Sequence, residues 1–289
     1  MKGIILAGGK GTRLHPCTNV ISKQLLPIFD KPMIYYPIST LMLGGIREII
    51  IISTPNDIIQ YQKLLGNGSQ WGLSLNYCIQ EQPLGIAQAF ILTKDILYGN
   101  SVCLILGDNL FYGKLDFFRN AINNFQKSTI FAYEVENPQD YGVVVLDKYK
   151  KPIDIIEKPK TYVSKFAIPG LYLFDERVYE YAQGLKPSAR GELEITDLQK
   201  MYLDRGELNV EIIGRGIAWL DTGTPSNLID AALFIRAIEQ RQGRKVACLE
   251  EIALNLGFIT LSDYVSWVER MPESDYKKYC LKILEEKNG

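Results

Sequence analysis

The chain has a single histidine, His15, among its 289 residues. That scarcity excludes a histidine-rich metal centre, and a Ser-His-Asp triad built anywhere else in the chain. The five cysteines, Cys17, Cys78, Cys103, Cys248 and Cys280, are odd in number, scattered, and contain no C-x-x-C pair. Such usage reads as reduced, mostly buried thiols in a cytoplasmic protein, not as a disulfide framework. An excess of one charge is also lacking. Lys and Arg total 32 against 33 Asp and Glu, a net charge of −1. Nothing in that balance draws the chain to nucleic acid or to a membrane surface, although a local cationic pocket for a nucleotide remains compatible with it. No apolar run approaches the length of a membrane span, and Ile4-Ile5-Leu6-Ala7 is too short for the core of a signal peptide. Internal repeats and low-complexity segments are absent as well.

What the chain does have is alternation. Short β-branched runs at 4–7, 48–53, 73–79 and 101–106 read as strands, and the continuous run Ile49-Ile50-Ile51-Ile52 reads as one covered on both faces. Between them lie helices expected over 33–43, from a cap at Asn56 to Leu65, and over 86–97. Strand–helix–strand order of this kind predicts right-handed crossovers and an open, mostly parallel α/β sheet flanked by helices. Ligands of such sheets bind beyond the carboxyl ends of the strands. After residue 114 the pattern changes. A helix at 117–125 is followed by strands at 129–135, 142–146, 153–157 and 166–174, a mixed β region that reads as a subdomain at the sheet edge. Helices at 177–183 and 194–204, strands at 208–213 and 217–220, and a long helix at 224–242 come next. The tail, 249–286, is helical.

The first strand runs into Leu6-Ala7-Gly8-Gly9-Lys10-Gly11-Thr12-Arg13-Leu14, with three glycines in four positions. A turn without Cβ atoms lets backbone N–H groups close on a bulky anion, and the Arg13 fork suits phosphate oxygens. Two familiar glycine loops are excluded. The phosphate loop requires Gly-Lys-Ser/Thr, and Gly11 is followed by Thr12-Arg13; the dinucleotide fingerprint requires a third glycine where Leu14 stands. A tight turn with a surface arginine is the plain alternative. The acidic candidates are Asp108 and Asp221, each directly after an apolar strand, an arrangement able to hold Mg²⁺ if the two face each other; each also suits a turn or a helix cap. The basic candidates are Arg13, Lys23, Lys158 and Arg190. Glu157 could pair with a neighbouring cation or accept from sugar hydroxyls, and Tyr141-Gly142 opens a strand where the backbone could approach a ligand. His15 is not needed as a base, because a phosphate monoester with a second pKa near ~6 is already anionic at neutral pH.

Taken together, Leu6-Ala7-Gly8-Gly9-x-Gly11-Thr12-Arg13-Leu14, Ser22-Lys23-Gln24-Leu25-Leu26-Pro27, Gly107-Asp108-Asn109, Tyr141-Gly142-Val143, Glu157-Lys158-Pro159-Lys160, Ala189-Arg190-Gly191-Glu192-Leu193-Glu194 and Trp219-Leu220-Asp221-Thr222-Gly223 resemble, in order and over nearly the whole chain, the sugar-phosphate nucleotidyltransferases. The resemblance implies a Rossmann-like domain over 1–242, a mixed-β sugar-binding subdomain at about 129–220, and a C-terminal helical tail, 243–289, at a subunit interface. It implies dTTP and α-D-glucose 1-phosphate as substrates, dTDP-glucose and pyrophosphate as products, Mg²⁺ as cofactor, and the first step of dTDP-sugar synthesis, such as that of dTDP-rhamnose. By the same resemblance Gly8, Gly9, Gly11, Thr12 and Gln24 hold the nucleotide, and Gln80 and Gly85 read the base. Arg13 and Lys23 bind the triphosphate, Lys158 grips the sugar phosphate, and Tyr141, Gly142, Glu157 and Ile168 line the sugar site. Asp108 and Asp221 hold the metal. A homotetramer, with a dTDP-sugar feedback inhibitor at a subunit interface, is implied too. The sequence departs from the family pattern at Leu84, Pro169 and Pro225. Leu84 lies beside the base-reading segment, so dTTP and UTP both stay open as the nucleotide. A non-catalytic nucleotide-sugar sensor would be expected to lack one of the phosphate or metal residues, all of which are present here.

Overall fold

A computed structural model describes residues 1–9 and 11–288; Lys10 of the glycine-rich loop and the terminal Gly289 lie outside the described residues. Strand β1 (Lys2–Leu6) leads through the glycine loop to a small hairpin, β2 (Pro27–Ile28) and β3 (Lys31–Pro32), and then to α1 (Tyr35–Leu43). There follow β4 (Glu48–Ser53), α2 (Ile58–Leu65), β5 (Ser74–Ile79), α3 (Gln88–Leu97), β6 (Val102–Leu106), β7 (Asn109–Tyr112) and α4 (Asp116–Asn123). The second half contains β8 (Ser128–Glu134), β9 (Gly142–Leu146), β10 (Pro152–Glu157), β11 (Phe166–Ala167), β12 (Leu171–Phe174), α5 (Val178–Gln183), α6 (Ile195–Asp204), β13 (Leu208–Ile212) and β14 (Ala218–Asp221). Four helices finish the chain: α7 (Pro225–Gln242), α8 (Leu249–Asn255), α9 (Leu261–Arg270) and α10 (Asp275–Asn288).

Ten strands form one sheet, along the path β10-β9-β11-β8-β12-β6-β1-β4-β5, with β13 added beside β8. The β6-β1-β4-β5 half is parallel. Strand β12 lies antiparallel to both β6 and β8 and joins that half to the mixed one. The region expected as a subdomain at the edge is therefore continuous with the central sheet. The run Ile49–Ile52 shows why the sheet is covered on both faces. Ile49 and Ile51 enter one buried cluster with Ile5, Cys103 and Ile105, while Ile50 and Ile52 enter the other with Ile4, Val102 and Leu104. Alternation of side chains along each strand divides a wholly apolar segment between two cores.

Three local expectations are corrected. The helix before Leu65 is preceded by Asp57, not capped by Asn56; Asp57 instead pairs with Thr54, whose Oγ1 lies 2.7 Å from Asp57 Oδ2. The single strand expected over 166–174 is two, β11 and β12, because Pro169 lacks the N–H that a ladder needs. Both halves pair antiparallel with β8. Strand β7 was missed: Gly107-Asp108-Asn109 reads as a turn, and Asn109-Leu110-Phe111-Tyr112 directly after it pairs with β14.

The tail docks on its own chain. Leu249 and Ala253 of α8 enter the core that contains α1, and Trp71 Nε1 donates to Glu250 at 2.9 Å. Glu250 also accepts from Tyr276 OH at 2.6 Å, and the ligand atoms of Cys248, Glu250 and Cys280 lie within 4.8 Å of one another in this buried junction. All five cysteines are free; Cys103, Cys248 and Cys280 are buried and Cys17 is exposed. A second polar junction ties the hairpin to α7, where the buried Lys31 Nζ meets Glu239 Oε1 at 3.0 Å and pairs with Asp30, which also pairs with Lys245. No helix among the described residues is long and apolar enough to cross a membrane.

Candidate active site

The glycine loop leaves the carboxyl end of β1 at the centre of the sheet. Ala7 N–H still bonds Ile52 O at 2.8 Å, so the strand holds its register until the loop begins. Gly9 and Gly11 then take φ of +100° and +56°, the left-handed region that L side chains avoid. A 3₁₀ turn, Thr12–Leu14, follows, anchored by the buried Leu14 and by Thr18 Oγ1 donating to Gly11 O at 2.9 Å. Arg13 lies over Gly223; a Cβ there would be 2.8 Å from an Arg13 guanidinium nitrogen. The loop, Lys23, Gln24 and Asp108 surround a cavity of about 300 Å³.

The two strand-end aspartates meet because β7 and β14 form an antiparallel ribbon. Asn109 pairs with Asp221, and Thr222 returns two hydrogen bonds to Asp108 O, from N–H at 3.2 Å and from Oγ1 at 2.9 Å. Asp108 is ion-paired to the buried Lys23 and accepts from Asn109 Nδ2 at 3.1 Å. Burial, and then the neighbouring Asp108 carboxylate, push the Asp221 carboxyl above its ordinary range, while Lys23, Arg13 and the Gly223 N–H oppose the shift. A carboxylate beside Asp108 at the rim of the same cavity is chemically suited to share a divalent cation with it, and an oxygen-only donor set completed by phosphates and water is what Mg²⁺ takes.

A second cavity, of about 240 Å³, adjoins the first. Its far wall is the β9–β10 pair, in which Gly142 lies opposite Glu157. A Cβ on Gly142 would come within 3.2 Å of Glu157 Oε2 and 3.0 Å of Thr196 Cγ2, so a side chain there would have to shift both neighbours. Lys158 follows at φ +42°, a strained conformation for a lysine, with its N–H bonded to Tyr141 O at 3.1 Å. The Tyr141 ring packs 5.0 Å from Trp219, whose Nε1 donates to Asn109 Oδ1 at 2.7 Å. Arg190 is bound by carboxylates, reaching Glu157 at 3.2 Å and Glu194 at 2.7 Å.

The structure therefore gathers most of the expected site. Gly8, Gly9, Gly11, Thr12, Lys23 and Gln24 line the first cavity; Tyr141, Gly142, Glu157, Lys158, Ile168 and Asp221 line the second; Arg13 and Asp108 line both. Gln80 and Gly85 line neither. Gln80 is buried beneath the loop, where a Cβ on Gly8 would be 2.3 Å from its Oε1, and it donates to Gln88 at 2.8 Å. Gly85 lies against the backbone of Leu193. Sequence reasoning missed Trp219, Asn109, Thr196 and Gln199, all in the second cavity. A signal existed for Trp219, which stands two residues before Asp221 on the same strand and so shares its face. No pattern marked Gln199. It is fully buried on α6, and both its Nε2 and its Oε1 lack a partner.

The chain is similar to known proteins over nearly its whole length. Residues 2–238 match the nucleotidyl transferase family. The chain is 51% identical over 280 residues to a glucose-1-phosphate thymidylyltransferase of Xanthomonas campestris pv. campestris, covering 96% of this chain and 95% of the relative. It is 49% identical over 286 residues to a protein of the same name from Mycobacterium tuberculosis, covering 99% of each. A crystal structure from Bacillus anthracis, described as a glucose-1-phosphate thymidylyltransferase in complex with a sucrose, superposes with a TM-score of 0.76 at 39% identity, over 82% of this chain and 95% of that one.

Proposed function

The chain belongs to the nucleotidyl transferase family, and from that premise we propose that it transfers a thymidylyl group from dTTP to α-D-glucose 1-phosphate, giving dTDP-glucose and pyrophosphate. The observation that carries this reading is the pair of adjoining cavities, one walled by the glycine loop and the other by Glu157 and Lys158, with Arg13 and Asp108 common to both. Two phosphorylated substrates held in such cavities meet at the shared wall.

The sugar phosphate is the nucleophile. Its oxygen is already anionic near neutral pH, so it attacks the α-phosphorus of dTTP without a general base, and pyrophosphate departs in line on the opposite side. The work left to the protein is to place two anions together and to offset their repulsion. Lys158 supplies charge at the sugar phosphate, and Arg13 and Lys23 supply it at the triphosphate. Lys23 is ion-paired with Asp108, and both line the first cavity, where its ammonium is available to the phosphates. Asp108 and Asp221 are the residues that would hold Mg²⁺. When bound there, the ion supplies further positive charge against phosphate oxygens. Glu157, oriented by Arg190, and the Tyr141–Trp219 pair position the sugar.

A homotetramer with a dTDP-sugar inhibitor at a subunit interface is part of the proposal, and the exposed Ile229 and Leu233, one turn apart on α7, are available to such a contact. Five free thiols suit a cytoplasmic location. The deciding experiment is pyrophosphate release with dTTP and UTP in parallel, each offered a panel of sugar 1-phosphates, with the products identified by mass. The expected result is fastest release with dTTP and glucose 1-phosphate. Preference for UTP would make the chain a uridylyltransferase, and no release with any pair would make it a sensor.

A further inference from the structure

We propose that Gln199 is a specificity-determining residue of the second cavity, its side-chain amide turning to hydrogen-bond one hydroxyl of the bound sugar. The inference rests on the reading of that cavity as the sugar site. Gln199 lies one turn beyond Thr196 on α6, and both residues line the cavity. Thr196 Cγ2 stands 3.0 Å from where a Cβ on Gly142 would be, and the same helix face carries Gln199 one turn on.

Gln199 is fully buried, yet neither end of its amide has a partner. Among the described residues no other side chain leaves both a donor and an acceptor buried and unpaired. Burial without a partner is unfavourable for an amide, and Gln199 stands on α6 between Leu198 and Tyr202, both members of an apolar cluster, where an aliphatic side chain would be the ordinary choice. The same situation makes the residue ready to move. A glutamine that turns out of a hydrogen-bonded site forfeits its bonds, whereas Gln199 forfeits none. The amide offers a donor and an acceptor, which together match a sugar hydroxyl. Three other polar groups of the cavity already have a role or a partner. Lys158 is placed for the phosphate, Glu157 is engaged by Arg190, and Asn109 Oδ1 accepts from Trp219 and from Gly170 N–H.

The test is steady-state kinetics at saturating dTTP with glucose 1-phosphate and its 2-, 3-, 4- and 6-deoxy analogues, for the wild type and Gln199→Leu. The wild type is expected to discriminate against one analogue more than the others. In Gln199→Leu that one discrimination collapses, KM for glucose 1-phosphate rises about tenfold, KM for dTTP is unchanged, and Tm is equal or higher. An unchanged pattern of discrimination overturns the proposal. A uniform loss with every analogue together with a lower Tm also overturns it, because that describes a structural amide. Gln199→Met replaces the leucine variant if the latter does not fold, and failure of both marks the residue as structural. Wild-type turnover is the control for the underlying reading. Its absence with every sugar 1-phosphate removes the sugar site and this proposal together, and turnover confined to another sugar moves the test to the deoxy analogues of that sugar.

Discussion

Replacing Gly85 by alanine tests how the two cavities are joined. Gly85 has φ of +107°, and an added Cβ would be 2.5 Å from Leu193 O, 2.6 Å from Leu193 N and 2.9 Å from Leu193 C. Two hydrogen bonds hold the segments together there, Leu193 N–H to Leu84 O at 2.7 Å and Ala87 N–H to Leu193 O at 3.2 Å. The φ value costs an alanine about 1–3 kcal/mol and the overpacking a similar amount, so parting of the segments is the cheaper response. Leu193 leads directly into α6, which carries Thr196 and Gln199 in the sugar cavity, and Ile86 lines both cavities. KM for dTTP and KM for glucose 1-phosphate are therefore expected to rise together, with kcat/KM down about tenfold or more and a Tm several degrees lower. Adding Leu193→Ala does not rescue the variant, because the contacts are with backbone. An effect confined to dTTP, or rescue by Leu193→Ala, would refute the reasoning and return Gly85 to reading the base alone.

Three further outcomes are expected. Asp221→Asn lowers turnover by about a hundredfold or more, yet raises the melting temperature at neutral pH in chelator. The sign follows from the raised carboxyl: its ionisation opposes folding above the folded-state pKa, so the gain fades as pH falls below the ordinary carboxylate range, and a variant no more stable at pH 7 contradicts the assignment. Lys158→Ala raises KM for the sugar phosphate with little change for dTTP, and the reverse split in initial-rate measurements would exchange the two phosphate assignments. Glu239→Ala leaves the buried Lys31 short of a partner and should destabilise the fold by about 3 kcal/mol in urea titrations; a change below about 0.5 kcal/mol falsifies the role of that junction.

The parallel half of the sheet was legible because its strands are apolar on both faces and its crossovers are ordinary helices. The glycine loop, Lys23, Glu157 and Lys158 were legible as local motifs. What escaped depended on contacts distant in sequence. Nothing local announces that Asn109 pairs with Asp221, 112 residues later, and without that ribbon the two aspartates are separate turn residues. Gln80 and Gly85 were assigned through the resemblance alone, and their neighbours, Gly8 and Leu193, are set by packing. Gln199 escaped because a polar residue on a half-buried helix gives no sign of whether its amide finds a partner.

Strand β12 carries a consequence for motion. It is hydrogen-bonded on one side to β6, which ends at the nucleotide cavity, and on the other to β8, within the mixed strands that wall the sugar cavity. Adjacent strands sit about 4.8 Å apart, and reacting atoms must come within about 3–3.5 Å in line. A continuous ladder thus ties the strands of the two cavities into one sheet, with no linker among the described residues about which two lobes could open. Admission of substrates and escape of pyrophosphate are therefore expected to depend on loops at the strand ends and not on a rigid-body opening of two lobes.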